Sequence, residues 1–270
     1  MTASGSRPSR PSSATAPALP RRDRTAILGA LAGVTLLAWI YLFVAALHME
    51  GMPAAEGGVL RIHAWTAVDF ILMFAMWAVM MVGMMVPSAA PMALIYAAVA
   101  RKAARQGAPV AGVSAFVSGY VAMWTLFSVG ATLAQWGLDQ AALLSPMMLT
   151  TSPGVGAALL IAAGAYQLTP WKDACLEHCR SPIHFISEHW RPGALGAFRM
   201  GLEHGAFCLG CCWVLMGLLF FGGVMNLLWI AGITFFVLAE KLLPAGARGG
   251  RLAGGAMLAV GVVLLGRWAI

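Results

Sequence analysis

Apolar residues run along this chain in long stretches, separated by short polar or Gly/Pro-rich segments. An apolar stretch of roughly 18 residues or more with few charges has the length of a membrane-crossing helix. The first, Ala26 to Leu47, exceeds the apolar region of a cleavable signal and predicts an uncleaved anchor. The second starts near Ala67 and runs to Val86, where Pro87 punctuates it. Ser88 to Ala100 is expected as a kinked half-helix, because Pro87 and Pro91 each delete a backbone donor. Further spans are expected at Val110 to Trp136, Gly154 to Trp171, Met200 to Phe221, Asn226 to Leu243 and Leu252 to Leu265. The pattern predicts an all-α fold, a polytopic transmembrane helical bundle of roughly seven spans. No internal repeat is visible, so inverted-repeat transporter symmetry has no support.

The segments between spans fix an orientation. The loop His48 to Thr66 holds Glu50, Glu56, Arg61 and His63. Arg101-Lys102-Ala103-Ala104-Arg105 follows span two, a short loop with Asp139, Pro146 and Pro153 follows span three, and a polar stretch, 172–199, follows span four. A Gly/Arg loop, Pro244 to Arg251, precedes the last span. Nearly all basic residues sit in the N-terminal tail and in the loops after spans two, four and six; the other side has little beyond Arg61 and Arg267. By the positive-inside rule the N-terminus is cytoplasmic and the C-terminus outside.

Composition agrees. The chain is 60% hydrophobic and 10% charged, against about 25% charged for a soluble domain. Its net charge of +7 is an orientation signal, and no nucleic-acid partner is expected. Residues 1–25, rich in Ser, Pro, Ala and Arg, cannot bury a core and are expected to be a disordered cytoplasmic tail; a transit peptide is the rival reading. Residues 26–268 then form one transmembrane domain in the lipid bilayer of a bacterial inner membrane.

The chemistry is concentrated. All five cysteines lie between Cys175 and Cys212, with four of the six histidines, His178, His184, His189 and His204. In the loop between spans four and five, Cys175, His178 and Cys179 fall at i, i+3 and i+4, one face of a helix. On span five, His204, Cys208, Cys211 and Cys212 share one stripe that climbs about 12 Å. Thiolate plus imidazole is a ligand set for soft and borderline metals. The competing view is that buried cysteine is a common small apolar residue. Glu203 and Glu240 stand at similar depth and are expected to orient His204 by hydrogen bonds. On span two, Asp69, Met73, Met76, Met80 and Met84 lie within one broad face, a candidate metal path. Thioethers select Cu(I), although a methionine face is also ordinary packing. The favoured ion is copper over zinc.

The segments Ala75-Met76-Trp77-Ala78-Val79-Met80-Met81-Val82-Gly83-Met84-Met85-Val86-Pro87, Gly201-Leu202-Glu203-His204 with Cys208, Cys211 and Cys212, and Ala239-Glu240-Lys241-Leu242-Leu243-Pro244 carry a likeness. Over about residues 65 to 245 the chain resembles a bacterial family described as predicted metal-binding integral membrane proteins, a domain of unknown function. The resemblance implies metal binding and assigns no ligands.

Three functions compete. The first is soft-metal handling, insertion or transport, with a metallochaperone or membrane-complex partner. It has no P-loop to power it. The second is a membrane thiol–disulfide protein using Cys208 and Cys211, a C-x-x-C pair, although disulfides are scarce on the cytoplasmic side. The third is a non-catalytic subunit or assembly factor of a membrane complex, in which Cys and His are incidental.

Overall fold

The computed structural model describes residues 19–50, 65–144, 150 and 152–269. Most of the expected tail, and Glu56, Arg61, His63 and Pro146, lie outside the described residues. The described residues are helical apart from short connections and a single bridge between Leu144 and Thr150. In chain order they are α1 (Arg21–Glu50), α2 (Ala67–Arg105), α3 (Val113–Gln140), α4 (Pro153–Gln167), α5 (Pro170–Arg180), α6 (Pro182–His189), α7 (Gly193–Gly217), α8 (Leu219–Gly222), α9 (Leu227–Leu242) and α10 (Gly246–Ala269).

Local sequence explains most of the starts. Side chains of Thr66, Ser152, Thr169 and Asn226 accept the first free amides of α2, α4, α5 and α9. Pro153, Pro170 and Pro182 occupy the first turn of α4, α5 and α6, where no amide donor is needed.

The helix continues past Pro87, as expected of Ser88 to Ala100: α2 runs as one helix through Pro87 and Pro91. Pro87 has no N–H for the Gly83 carbonyl, and the indole Nε1 of Trp39 on α1 donates to that oxygen instead, at 3.2 Å. A neighbouring helix thus satisfies the group that proline frees, as an apolar surrounding demands.

Five helical stretches are long and apolar enough to cross a membrane: Arg21–His48, Ala67–Arg105, Val113–Gln140, Gly193–Gly222 and Gly246–Trp268. The expected spans four and six are represented by α4, with 15 residues, and α9, with 16. At a rise of about 1.5 Å per residue each covers roughly 23 Å, short of a hydrocarbon layer of about 30 Å. By length, five of the described helical stretches reach the size of a crossing, against the seven crossings expected from the apolar pattern. The polar stretch read as a loop is instead the two short helices α5 and α6 and the start of α7.

Close approach is built with glycine. Gly119 of α3 and Gly201 of α7 meet so tightly that a Cβ on either would strike the other helix's backbone, at the carbonyls of Phe198 and Phe116 respectively. The core between α2, α3 and α7 holds Met76, Trp77, Met80, Met84, Tyr120, Trp124 and the cysteines of α7. Outward faces stay apolar: Leu37, Leu228, Phe235 and Leu252 are all more than two-thirds exposed.

Contacts also define the two ends. At one, Arg101 pairs with Asp23, the Gly193 amide donates to the Pro109 carbonyl (2.8 Å), Arg251 meets Asp173 (2.5 Å), and Arg180 donates to the Leu243 and Pro244 carbonyls. At the other, Trp65 donates to Asp139 (2.8 Å) and the Thr150 amide to the Phe220 carbonyl (2.9 Å).

Candidate metal centre

Helix α7 places its reactive residues as the stripe predicts. His204, Cys208, Cys211 and Cys212 are all at most 3% exposed. Helix α5 then lies along α7 and adds its own sulfurs. Cys175 Sγ occupies the space left by Gly210, where a Cβ would approach it to 2.7 Å. Cys179 reaches side-chain hydrogen-bonding range of Cys208 and Cys211, and these two interact with each other and with Cys212. What looked like two subclusters in sequence is one group of thiols. All five cysteines are free.

Cys208 is the hub. The Lys241 ammonium at the end of α9 donates to its sulfur at 2.8 Å and to Ser88 Oγ at 3.2 Å. The Tyr120 hydroxyl stands 3.0 Å from the same sulfur and 3.1 Å from the Met85 carbonyl oxygen. The Cys211 and Cys212 thiols both donate to the Cys208 carbonyl at 3.0 Å. Lys241 is only 6% exposed. A buried ammonium demands a negative partner, and the Cys208 sulfur is the group within reach. Lys241, Tyr120 and Ser88 were not singled out from sequence. The available signal was a lysine in the last turn of an otherwise apolar helix.

The half-buried thiols of α5 have their own setting. Hydrogen bonds with Cys208 and Cys211, with burial behind them, hold the Cys179 thiol well above the usual range. Burial, with Cys211 nearby, also raises Cys175.

His204 sits apart from the sulfurs in an aromatic pocket. Its ring centroid lies 6.0, 5.6 and 5.4 Å from those of Phe116, Tyr120 and Phe185, and its Nδ1 has no hydrogen-bond partner. The carboxylates expected to orient it are engaged elsewhere. Glu203 pairs with Arg191 at 2.7 Å. Glu240 pairs with Lys172 at 2.5 Å and accepts from Gln167 at 3.0 Å, in a buried pocket between α4, α5 and α9. The physical reason is angular: successive helix residues diverge by about 100°, so Glu240 and Lys241 enter different pockets.

The methionine face is internal. Met76, Met80 and Met84 are buried in the same core as the α7 cysteines, joined by Met81 and Met85; Met73, at its edge, accepts a contact from Gln135 Nε2 at 3.4 Å. Asp69 does not belong to that interior. Its carboxylate accepts from the amide and hydroxyl of Thr66, both at 2.7 Å, closing the capping box at the exposed start of α2.

His178 faces the α7 aromatic Phe207, not the thiols, with ring centroids 4.1 Å apart and planes 2° from parallel. Exposed His184 meets Glu188 at 3.5 Å.

Among the described residues no three His, Cys, Asp or Glu side chains already stand as a closed metal cage. The thiols contact one another and Lys241, with His204 held off by rings. Such an arrangement suits an ion content with few soft donors better than one needing a preformed tetrahedron. The orphaned His204 Nδ1 and the sulfur-rich core both fit a soft ion as cargo.

No curated protein and no solved structure matches the chain. A family model does, over residues 74–264, more than two-thirds of the 270 residues and a range that contains every cysteine. By that match the chain belongs to the PpoB2 family, described as copper chaperones.

Proposed function

We propose that the protein is a multi-pass component of a bacterial inner membrane that takes up Cu(I) on thiols at Cys208, Cys211, Cys212 and Cys179 and passes it on. The single observation carrying this reading is the convergence of the α5 and α7 sulfurs on Cys208 beside a buried ammonium. Soft thiolates select Cu(I), and the family's description supplies the metal's name. Cys175, beside Gly210 and Cys211, is a further donor; His204, enclosed by rings, is not counted among them.

Lys241 gives the centre its charge balance. Two thiolates and one Cu(I) carry one negative charge, and the ammonium cancels it in a low-dielectric interior. Binding releases thiol protons. The buried methionines Met76, Met80 and Met84, with half-buried Met73 beyond them, extend from this centre along α2 as weaker, neutral donors suited to release.

The chain is oriented with its N-terminus in the cytoplasm and crosses the bilayer about seven times, α4 and α9 serving as short crossings. The end that joins Asp23 to Arg101 and Asp173 to Arg251 also carries Arg21, Arg22, Arg24, Lys102, Arg105, Arg180 and Arg248, which supports that end as the cytoplasmic one.

The test is Cu(I) binding by detergent-purified protein under anaerobic conditions, read by competition with a chromogenic Cu(I) chelator and by copper X-ray absorption. Sulfur scatterers are expected in the wild type. Cys208→Ser/Cys211→Ser is expected to lose them with its helix content intact. Equal sulfur-bound copper in both proteins sinks the assignment. If the wild type instead takes no copper and oxidant consumes its thiols reversibly, the thiol–disulfide alternative replaces it.

A further inference from the structure

Two histidines outside the thiol group are prepared for metal binding. The Nδ1 of His178 lies 2.9 Å from the Ala174 carbonyl, and that of His189 lies 3.0 Å from the Phe185 carbonyl. A carbonyl only accepts, so each Nδ1 carries the hydrogen, and in the neutral ring Nε2 is the nitrogen that presents a lone pair. Pinning the far nitrogen in this way is how proteins orient metal-binding imidazoles. Both rings are also clamped by stacking: His178 on Phe207 as above, and His189 on Phe185 at 4.6 Å and 12°.

The spacing fits one shared ion. The two imidazole centroids are 6.5 Å apart with planes at 77°. With both Nε2 atoms turned into the gap, a metal about 2.0 Å from each would lie roughly 3.2 Å from each centroid, a span of about 6.4 Å when linear. Linear two-nitrogen coordination is a geometry that Cu(I) accepts, and imidazole is a copper ligand.

Position supplies the purpose. His178 directly precedes Cys179, and Phe207, on which it stacks, directly precedes Cys208. The pair is half-buried, whereas Cys208 is 1% exposed. We propose that His178 and His189 form a second, shallower Cu(I) site. It accepts the ion at the α5–α6 surface and delivers it one residue along to the thiols. The role rests on the copper reading above. The step is ligand exchange: two Cu–N bonds break and two Cu–S bonds form, copper stays Cu(I), the sulfur already paired with Lys241 binds as thiolate, and the second thiol gives its proton to solvent.

The experiment uses full-length protein in detergent and cuprous glutathione as the donor. In the Cys208→Ser/Cys211→Ser background, X-ray absorption is expected to show a weaker Cu(I) site of nitrogen scatterers, and adding His178→Phe/His189→Phe is expected to abolish it. Phenylalanine keeps the stacking and removes only the nitrogens. With the thiols intact, the Phe pair is expected to reach the wild-type sulfur-bound occupancy but to load at least tenfold more slowly. An unchanged loading rate, or a residual nitrogen site that survives loss of both histidines, overturns the proposal. Failure of the thiol reading is seen separately, as absence of sulfur-bound copper in the wild type.

Discussion

Replacing Glu240 separates a structural charge pair from a role in metal binding. Glu240 and Lys172 side chains are 4% and 2% exposed and stand 2.5 Å apart. Gln167 bridges them, donating to Glu240 at 3.0 Å and accepting from Lys172. Glu240→Gln keeps the shape but leaves the Lys172 ammonium buried without a counter-charge, a loss of about 3–5 kcal/mol. Lys172→Met strands the carboxylate at a similar cost. Lys172→Met/Glu240→Gln removes both charges and keeps an amide beside Gln167, so a net loss below about 2 kcal/mol is expected. The cycle should therefore report a coupling of at least about 3 kcal/mol. The assay is reversible unfolding in mixed detergent micelles, with Cu(I) occupancy measured on the same samples. Near-additive losses would refute the pairing argument. So would Glu240→Gln losing copper at unchanged stability, which would return Glu240 to the service of His204.

Other expectations follow from single contacts. Gly119→Ala drives a Cβ into the Phe198 carbonyl and is expected to cost about 2 kcal/mol or more. Gly130→Ala, with nothing within 4 Å, should leave stability equal or higher, and the same unfolding assay compares them. Because the Cys175 and Cys179 thiols are raised, little thiolate exists near neutrality. Their iodoacetamide alkylation, followed by mass spectrometry, should still be accelerating at pH 9, the usual thiol value; a plateau below that pH contradicts it. Lys241→Met should weaken Cu(I) affinity at least tenfold in the chelator competition while Lys241→Arg retains more, and equal affinities in all three proteins would remove the charge-balance argument.

The α7 stripe was legible because helical periodicity alone decides which of its residues share a face. The α2 methionine face was legible for the same reason. Periodicity does not say which helix will cover a face. That Cys179 turns toward Cys208 and Cys175 toward Gly210 and Cys211 depends on α5 folding back across α7, a contact that Gly210 permits by having no side chain. Sequence spacing brought His178 into the same set as these two cysteines. The helix carries it one step around, onto Phe207. Asp69 was misplaced because an acidic residue three positions after a threonine reads equally as a cap and as an intramembrane carboxylate. What the sequence around Pro87 does not show is the donor that replaces the lost amide, because Trp39 lies on a different helix.

Adjacent Glu240 and Lys241 look like a self-neutralising pair on paper, and their separation is what gives the bundle a usable charge. Glu240 is committed to Lys172, so Lys241 arrives at Cys208 as an unspent positive charge. A buried region at net zero can then hold one negative charge on its sulfurs. A single Cu(I) on two thiolates meets that condition. A divalent ion on four thiolates would leave one negative charge uncompensated beside apolar helices. The lysine thus disfavours a four-thiolate zinc site without any reference to affinity. On the proposed copper reading, the thiols rest against an ammonium, instead of standing open as a cage, until a cation of the right charge displaces a thiol proton.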